Sequence, residues 1–382
     1  MAKRTRFDAN ALRDFLNSGW LLAFDADQIL VGWGEWSESA MAPQSSWGGA
    51  QCAVYAPDFY LKDEKPWKVT ANWDIVSHAH FANHFLTGIG RNVNCEPLNW
   101  QEPASKDFAK CWQMIQEGFR ERGLQKAVPV VFASAKADFS KAESRQSLLL
   151  RLLHSFHSLR VLSQTLGLRA HPLYLYGMWS ESSGLIGATP EVLFTRTSQQ
   201  AVIHTMALAG TRGKVAVEDP ELLLRDVKER HEHQLVIDDL KCRLGGIGEA
   251  TIGLTRVLEL PSLYHLLTPI EVCPLPDRST SFVELVDLLH PTPALGVAPR
   301  ALGFGEIRRW DQLGDERQRF GAPFGATWGG REHCVVAIRN VQWQSDELKL
   351  GSGCGVIEES EFDREWRELS LKRESVKRML GL

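Results

Sequence analysis

The order of strand-like and helix-like segments constrains the fold of this chain more than any other feature. Strand-like runs occur at 173–179 and 200–203, and again at 334–339 and 348–350, without a helix between the members of each pair. A parallel sheet built from βαβ units would require strands and helices to alternate. The sequence therefore predicts an α+β fold with a large antiparallel sheet, and it argues against a Rossmann-type sheet.

Two helices are predicted from their start signals. Asp219 precedes Pro220, an N-cap followed by proline at the first helical position, and this pair predicts a helix that ends at the glycines 245–246. Ser360 is followed three residues later by Asp363, which is the spacing of a capping box. That signal predicts a second helix, which continues to the C-terminus.

Other segments are read from their apolar pattern. Leucines recur at helical spacing between 143 and 162, which predicts an amphipathic helix with its apolar stripe in the core. A short helix is expected to end near 290, before a loop over 291–304 that is rich in proline and glycine. Residues 1–115 combine many tryptophans with short apolar runs broken by Gly, Pro and Asn, which predicts short strands and turns.

Composition narrows the class of protein. The chain has 382 residues, of which 44% are hydrophobic and 24% charged, as in a soluble globular protein. No low-complexity linker divides it, so we expect a single α+β domain over 1–382. The net charge of −4 argues against nucleic-acid binding. Seven scattered cysteines without a CxxC pair, and no long apolar stretch, predict a cytoplasmic protein that does not bind membranes.

A duplicated spacing of acidic residues is the strongest local signal. Glu229 and Glu232 lie three apart on one predicted helix, and Glu365 and Glu368 do so on the other, so each pair projects from one helical face. Together the two pairs offer the oxygen ligands that magnesium prefers. The alternative is that each pair belongs to a solvated face, neutralised by the nearby basic residues 225, 228, 364 and 367.

Two other patterns could indicate ligand sites. His231 and His233 flank Glu232, but residues two apart point to opposite sides of a helix and cannot chelate one zinc ion. The glycine-rich stretch 351–355 has two possible interpretations. It forms a tight turn or bulge, or its bare backbone amides bind a carboxylate.

Seven stretches, in the same order along 120–382, resemble the chorismate-utilising enzymes. This family includes anthranilate synthase large subunits, aminodeoxychorismate synthases, salicylate synthases and isochorismate synthases. The matching stretches are 187–191 (GATPE), 208–212 (LAGTR), 228–233 (KERHEH), 289–295 (LHPTPAL), 338–339 (IR), 351–355 (GSGCG) and 365–368 (EWRE). Residues 1–115 match the family little.

The resemblance implies a fold and a set of site residues. The fold would be two antiparallel sheets packed as a sandwich, with helices outside and the active site in a deep cleft. Magnesium would be bound by Glu232 and Glu368, with Glu229 and Glu365 beside them. Residues expected to contact the substrate, chorismate, are Gly210, Thr211, Leu295, Arg339, Gly353 and Lys372.

The resemblance also indicates which reaction to expect. Lys126 lies at the position of the family's general base, where isochorismate synthases carry a lysine, and Glu191 lies at the position of the acid. Isochorismate synthase is therefore the expected activity, without an obligatory glutaminase partner. The alternatives are a salicylate synthase, an anthranilate or aminodeoxychorismate synthase component, and an inactive chorismate-binding protein.

Overall fold

The computed structural model describes most of the chain. The described residues are 3–42, 52–88, 98–137, 142–165, 173–197, 202–214, 219–275, 279–311 and 317–382. Their strands are β1 Lys3–Arg4, β2 Gly19–Ala23, β3 Gln28–Ser39, β4 Cys52–Tyr55, β5 Trp67–Ser77, β6 Lys126–Ala127, β7 Val130–Lys136, β8 Tyr174–Trp179, β9 Ser183–Thr189, β10 Val192–Thr197, β11 Ile203–Gly213, β12 Gly248–Ile252, β13 Arg256–Glu259, β14 Leu263–Pro274, β15 Val297–Ala298, β16 Pro323–Trp328, β17 Arg331–Val336, β18 Asn340–Gln344 and β19 Glu347–Gly353. The α-helices are α1 Ala9–Asn17, α2 His78–Gly88, α3 Ser105–Glu121, α4 Ala142–Thr165, α5 Val227–Leu244, α6 Phe282–Leu289, α7 Gly303–Asp311 and α8 Phe362–Leu380, with 3₁₀ turns at Pro220–Arg225 and Arg300–Leu302.

Hydrogen bonds connect seventeen of the described strands into one continuous sheet. One half runs β7-β19-β18-β9-β8-β2-β3-β5, and the other runs β4-β16-β17-β10-β11-β14. The two halves are joined where β4 pairs with both β5 and β16. All pairs are antiparallel except the short β1–β5 contact. The predicted α+β class with a large antiparallel sheet is confirmed.

The two halves face each other across a shared apolar layer. Because alternate residues of a strand point to opposite faces, Trp20 and Leu22 of β2 pack with Val54 of β4 and Phe324 of β16. Leu21, between them, packs on the other side against α1, α4 and α8. The predicted sandwich with outer helices is therefore present, with its two sheets joined at one side.

The other half of the sheet carries α5 and α6 on its outer face. Leu240 of α5 and Val286 of α6 are fully buried against Ala207 of β11 and Ile270 of β14. This packing fixes one face of α5 against the sheet along its whole length. Strands from the first 115 residues belong to the same sheet, because β2 pairs with β8 and β4 with β16.

The helix predicted from Asp219 is two elements. Asp219 accepts a hydrogen bond from the Glu221 amide and begins a 3₁₀ turn at Pro220. Asp226 then adopts an extended conformation and caps α5 by accepting from the Glu229 amide. The single helix was wrong because Asp226 supplies a second N-cap, which ends one turn and starts the next.

The capping box predicted at Ser360 is also wrong. The N-cap of α8 is Glu361, which makes no side-chain capping bond. The Ser360 hydroxyl instead accepts from the Ile357 amide at 3.1 Å and closes the preceding turn. The helix itself is where the sequence placed it.

The remaining predictions have mixed outcomes. The amphipathic helix, the short helix before 290 and the strands at 173–179, 334–339 and 348–350 are confirmed to within a few residues. Of the predicted strand at 200–203, only the end falls on described residues, and β11 starts there. The loop after 290 contains β15 and a 3₁₀ turn, and the N-terminal region contains α1, α2 and α3, which its turn-rich composition did not predict. None of the described helices has the length and apolarity needed to cross a membrane.

Replacing Gly32 with alanine is expected to lower the free energy of unfolding by about 1–3 kcal/mol. A Cβ at this position would collide with the Trp20 indole and would lie 2.6 Å from the Thr70 hydroxyl. Gly305→Ala is the matched control, because a Cβ there meets nothing within 4 Å and alanine favours the helix. Urea unfolding of both variants measures the difference, and equal stabilities would contradict the packing of β2 against β3.

Candidate active site

A cleft between the two halves of the sheet and α8 brings the predicted residues together. Its open space, including the solvent at its mouth, is about 660 Å³. Seven of the predicted site residues line it: Glu191, Thr211, Glu232, Leu295, Arg339, Gly353 and Lys372. The others, namely Lys126, Gly210, Glu229, Glu365 and Glu368, lie behind this lining or beside it.

Both acidic pairs lie at the N-terminal end of a buried helical face. On α5 the stripe that buries Val236 and Leu240 continues into Glu232 and Glu229. On α8 the stripe that buries Leu369 begins with Glu365 in the first turn. A helix N-terminus stabilises negative charge, which offsets part of the cost of burial. The solvated-face alternative is thereby excluded for Glu229, Glu232 and Glu365, which are 0%, 6% and 0% exposed.

The side chains of the two helices meet in a carboxylate cluster, which we define as Glu229, Glu232, Glu365 and Glu368. The Lys228 ammonium lies 3.0 Å from an oxygen of Glu232, 3.0 Å from Glu365 and 3.4 Å from Glu229. It therefore joins carboxylates of α5 and α8. The fourth member, Glu368, pairs with Lys372 at 2.7 Å.

The members of the carboxylate cluster differ in their proton affinities. Burial and the neighbouring Glu232 raise the pKa of Glu229 to about 8, and burial and Glu368 raise that of Glu365 to about 7. Burial acts in the same direction on Glu232, but Lys228 and Lys126 outweigh it and lower its pKa to about 2. Glu232 is therefore the anionic centre around which the cationic groups gather.

Lys126 is completely buried behind Glu232. Its ammonium donates a hydrogen bond to the Pro293 carbonyl at 2.5 Å and lies 3.5 Å from an oxygen of Glu232. Burial lowers the pKa of Lys126, although the Glu232 carboxylate acts in the opposite direction. The two-stranded β6–β15 ribbon positions it, through the pair Lys126 and Ala298.

Glu191 lies in the cleft wall between β9 and β10 and is 4% exposed. Its amide donates a hydrogen bond to the Thr189 hydroxyl at 3.1 Å, and its carbonyl accepts one from the Val336 amide. Burial raises the pKa of its carboxyl to about 7, while Lys126 and Arg339 act to lower it. Glu191 is therefore able to hold a proton near neutral pH.

Arg339 is held by a chain of hydrogen bonds that begins at β11. Its guanidinium donates to Nε2 of His265 at 2.5 Å, so the proton of this imidazole lies on Nδ1. That nitrogen faces the Thr211 hydroxyl at 3.1 Å and the Gly210 carbonyl at 3.3 Å. Arg339 itself has a φ of 55°, a strained conformation of the kind found at functional sites.

Gly210 shapes the cleft from behind. It has a φ of 75° at a bulge of β11, and a Cβ there would lie 3.0 Å from the Glu229 carbonyl. The bulge turns the Thr211 amide toward Glu229, which accepts its hydrogen bond at 2.7 Å. In this arrangement Gly210 permits a close approach of β11 and α5, and the Thr211 amide is hydrogen-bonded to the Glu229 side chain.

The glycines of β19 form the opposite wall. Gly351, Gly353 and Gly355 line the cleft, and the first two belong to the strand, so the interpretation of this stretch as a turn was wrong. The Gly353 carbonyl accepts from the Lys372 ammonium at 2.8 Å. A side chain on Gly355 would collide with the Glu232 carboxylate. Bare backbone is therefore needed here for Glu232 to enter the cleft.

Sequence reasoning missed two contributors. The sequence indicates Lys228 only as a neighbour that could neutralise the acidic pairs, whereas its ammonium contacts three of their four carboxylates. No local pattern indicates His265, because its place beside Thr211 arises from the pairing of β11 with β14. The two histidines lie on different sides of α5, as their spacing predicts: His233 is buried against the Thr268 hydroxyl, and His231 is exposed beside Glu359.

The carboxylate cluster fits a hard cation by its chemistry. Carboxylate oxygens are the ligands that magnesium prefers. Apart from the Lys228 ammonium, 3.0 Å from one of them, the oxygens of the buried Glu365 carboxylate have no hydrogen-bond partner among the described residues. In that part of the chain, no three acidic, histidine or cysteine side chains are already arranged around one point as ligands. The donors are thus present, and the lysines Lys228 and Lys372 lie between them.

Comparison with known proteins identifies the family of this chain. The family model described as chorismate binding enzyme matches residues 93–381, about three quarters of the chain. The chain belongs to this family. The match includes all twelve residues predicted for the site.

Individual relatives match this chain over only part of their own length. The salicylate biosynthesis isochorismate synthase of Pseudomonas aeruginosa is 35% identical over 205 residues, 51% of this chain and 42% of the relative. Component 1 of the Aeropyrum pernix anthranilate synthase is 27% identical over 219 residues, 55% of this chain and 49% of the relative. The chain thus spans about half the length of the curated relatives it matches.

A solved structure shows the same fold over almost the whole chain. The menaquinone-specific isochorismate synthase from Escherichia coli superposes with a TM-score of 0.75 and 18% identity, over 98% of this chain and 92% of that one. At this identity the likeness concerns the fold. It extends to the N-terminal region, whose sequence resembles the family little.

Replacing Glu191 with glutamine is expected to stabilise the fold by about 3 kcal/mol at pH 8 and by less than about 1 kcal/mol at pH 5. The folded-state pKa of about 7 lies above the ordinary value of 4.5. The folded protein therefore binds this proton more tightly, and ionisation of the buried carboxyl costs stability as the pH rises from 4.5 to 7. Urea unfolding at both pH values measures the effect.

The control for this experiment is Glu181→Gln, an exposed glutamate in the β8–β9 turn. The difference in stability between the Glu181→Gln variant and the starting protein should be the same at pH 5 and pH 8. The same pH dependence in the Glu191 variant and the starting protein would contradict a raised pKa at Glu191.

Proposed function

We propose that this protein is an isochorismate synthase, which converts chorismate reversibly to isochorismate. Water adds to carbon 2 of the ring, the hydroxyl group on carbon 4 leaves, and the double bonds shift. The observation that carries the proposal is the pair of buried titratable groups at the cleft. Lys126 has a lowered pKa and Glu191 a raised one, the directions that a base and an acid require.

Substrate binding would use the cations of the cleft. Chorismate carries two carboxylates, and Arg339 and Lys372 both line the open space. A guanidinium binds a carboxylate through paired hydrogen bonds, and His265 holds that of Arg339 in one orientation. Apolar Leu295 and the bare backbone of Gly353 would contact the ring.

The chemistry requires one base and one acid. The Lys126 ammonium that lies beside Glu232 would first lose its proton, a loss that burial favours, and the neutral amine would then take a proton from water. Glu191 would donate its proton to the departing hydroxyl, and its pKa of about 7 keeps a large fraction protonated at neutral pH. Atoms balance because one water enters and one leaves, and no organic cofactor is required.

Magnesium would be held by Glu232 and Glu368, with Glu229 and Glu365 beside them. When bound, a divalent ion neutralises a substrate carboxylate and stabilises negative charge that develops on the ring. Glu232 is the member best prepared for this, since its pKa of about 2 keeps it ionised throughout the neutral range.

The rival functions differ in their products. A salicylate synthase would release salicylate and pyruvate, and an anthranilate or aminodeoxychorismate synthase component would require ammonia or a glutaminase. An inactive binding protein would retain chorismate unchanged. We expect the protein to act in the cytoplasm. An enzyme that adds water would not need a glutaminase partner, so we expect none.

Incubation of the purified protein with chorismate and magnesium chloride, with and without ammonium, separates these cases by mass spectrometry. The proposal predicts isochorismate in equilibrium with chorismate and no change when ammonium is added. Salicylate with pyruvate would indicate a salicylate synthase, and an amino product an anthranilate or aminodeoxychorismate synthase component. Saturable binding without turnover would indicate an inactive binding protein.

Lys126→Ala is expected to reduce turnover at least 100-fold, the lower range for loss of a general base. Chorismate binding should change little, because Lys126 does not line the open space. The matched control is Lys136→Ala, an exposed lysine at the end of β7 whose ammonium pairs with Asp346 at 3.0 Å. Steady-state rates and binding titrations test both variants, and full activity of the Lys126 variant would refute its role as the base.

A further inference from the structure

Lys228 occupies an unusual position for a lysine on the first turn of a helix. Only about 10% of its side chain is exposed, and its ammonium contacts Glu229, Glu232 and Glu365. It also donates to the Gly355 carbonyl at 3.3 Å, on the wall of the cleft. The ammonium is thus surrounded by oxygens from α5, α8 and the glycine-rich strand end.

These oxygens surround the ammonium at 3.0–3.4 Å, which are hydrogen-bonding distances and longer than those of metal ligands. Three carboxylates and one carbonyl from separate segments converge on one positive charge. Magnesium binds oxygens at about 2.0–2.1 Å. An ion held by Glu232 together with a carboxylate of α8 would therefore lie within about 5 Å of the ammonium in its present position. Two cations this close repel each other strongly in a poorly hydrated site.

We propose that the Lys228 ammonium is a built-in cation of the carboxylate cluster, which a magnesium ion must displace in order to bind. Lys228 therefore stabilises the metal-free protein and weakens its affinity for the metal. This inference rests on the proposed magnesium site of an isochorismate synthase, and it concerns a residue to which that proposal gives no role.

A second cation beside the cluster shows why position matters. Arg364 contacts Glu229 at 2.9 Å, but its side chain is 41% exposed and also contacts Asp226 at the N-cap of α5. It pairs with the cluster from the rim, where solvent screens its charge. Lys228 pairs with the cluster from the centre. Replacing Lys228 or Arg364 with a neutral residue removes one positive charge in each case. A comparison of the two variants therefore separates the effect of the position of the charge from the effect of net charge.

The first test is magnesium binding by isothermal titration calorimetry. Lys228→Met keeps the length of the side chain and removes its charge, and we expect it to bind magnesium at least tenfold more tightly than the starting protein. Arg364→Met should change the affinity less than threefold. Lys228→Gln provides a second neutral variant if the methionine variant does not fold.

The second test is thermal unfolding with and without magnesium chloride. Without metal, the Lys228 variant should unfold at a lower temperature than the starting protein, because three buried carboxylates lose their shared partner. Magnesium should raise the unfolding temperature of the variant more than that of the starting protein. Unfolding needs no turnover, so this readout is independent of catalysis.

The outcomes separate this inference from the proposed function. If the starting protein binds magnesium and makes isochorismate but the Lys228 variants bind the metal equally or more weakly, the inference is wrong and the proposed function stands. If neither protein binds magnesium at millimolar concentration, the carboxylate cluster is not a metal site and both fail. Tighter binding by the variants, with little effect at Arg364, supports displacement.

Discussion

The burial of charge where α5 meets α8 is the constraint on which the rest of the site depends. Glu229 and Glu365 are completely buried and Glu232 nearly so. Such groups are costly to desolvate unless cations lie close to them. Lys228 and Lys126 supply those cations on opposite oxygens of Glu232. The carboxylates in turn allow each cation to be buried, so burial and mutual contact together set the pKa values at this junction.

The sheet supplies the positions that this junction requires. The β11 bulge at Gly210 brings α5 close and aims the Thr211 amide at Glu229. The end of β19 leaves bare backbone at Gly355, beside which the Glu232 carboxylate passes. The fold therefore creates a cleft in which one wall carries acids from two helices, while Arg339 faces the same space.

Much of this could be predicted from the sequence, and the limits have physical reasons. The order of strands and helices is sufficient to predict the α+β class. The family motifs are sufficient to predict the site residues that line the cleft. The spacing of Glu229 and Glu232 is equally compatible with a solvated face, so their burial depends on packing against the sheet. His265 meets Thr211 through the pairing of β11 with β14, which no local pattern specifies. The capping roles of Asp226 and Ser360 differ from those predicted, because short polar side chains bond equally well to several nearby amides.

In the proposed reaction a water molecule, activated beside Glu232 and Lys126, would become the new hydroxyl group of the product. The most direct test is conversion of chorismate in water enriched in oxygen-18, with the product analysed by mass spectrometry after brief reaction. We predict isochorismate that carries one labelled oxygen at carbon 2. Isochorismate without the label would show that the original hydroxyl is transferred within the substrate, and it would contradict the proposed roles of the buried amine and acid.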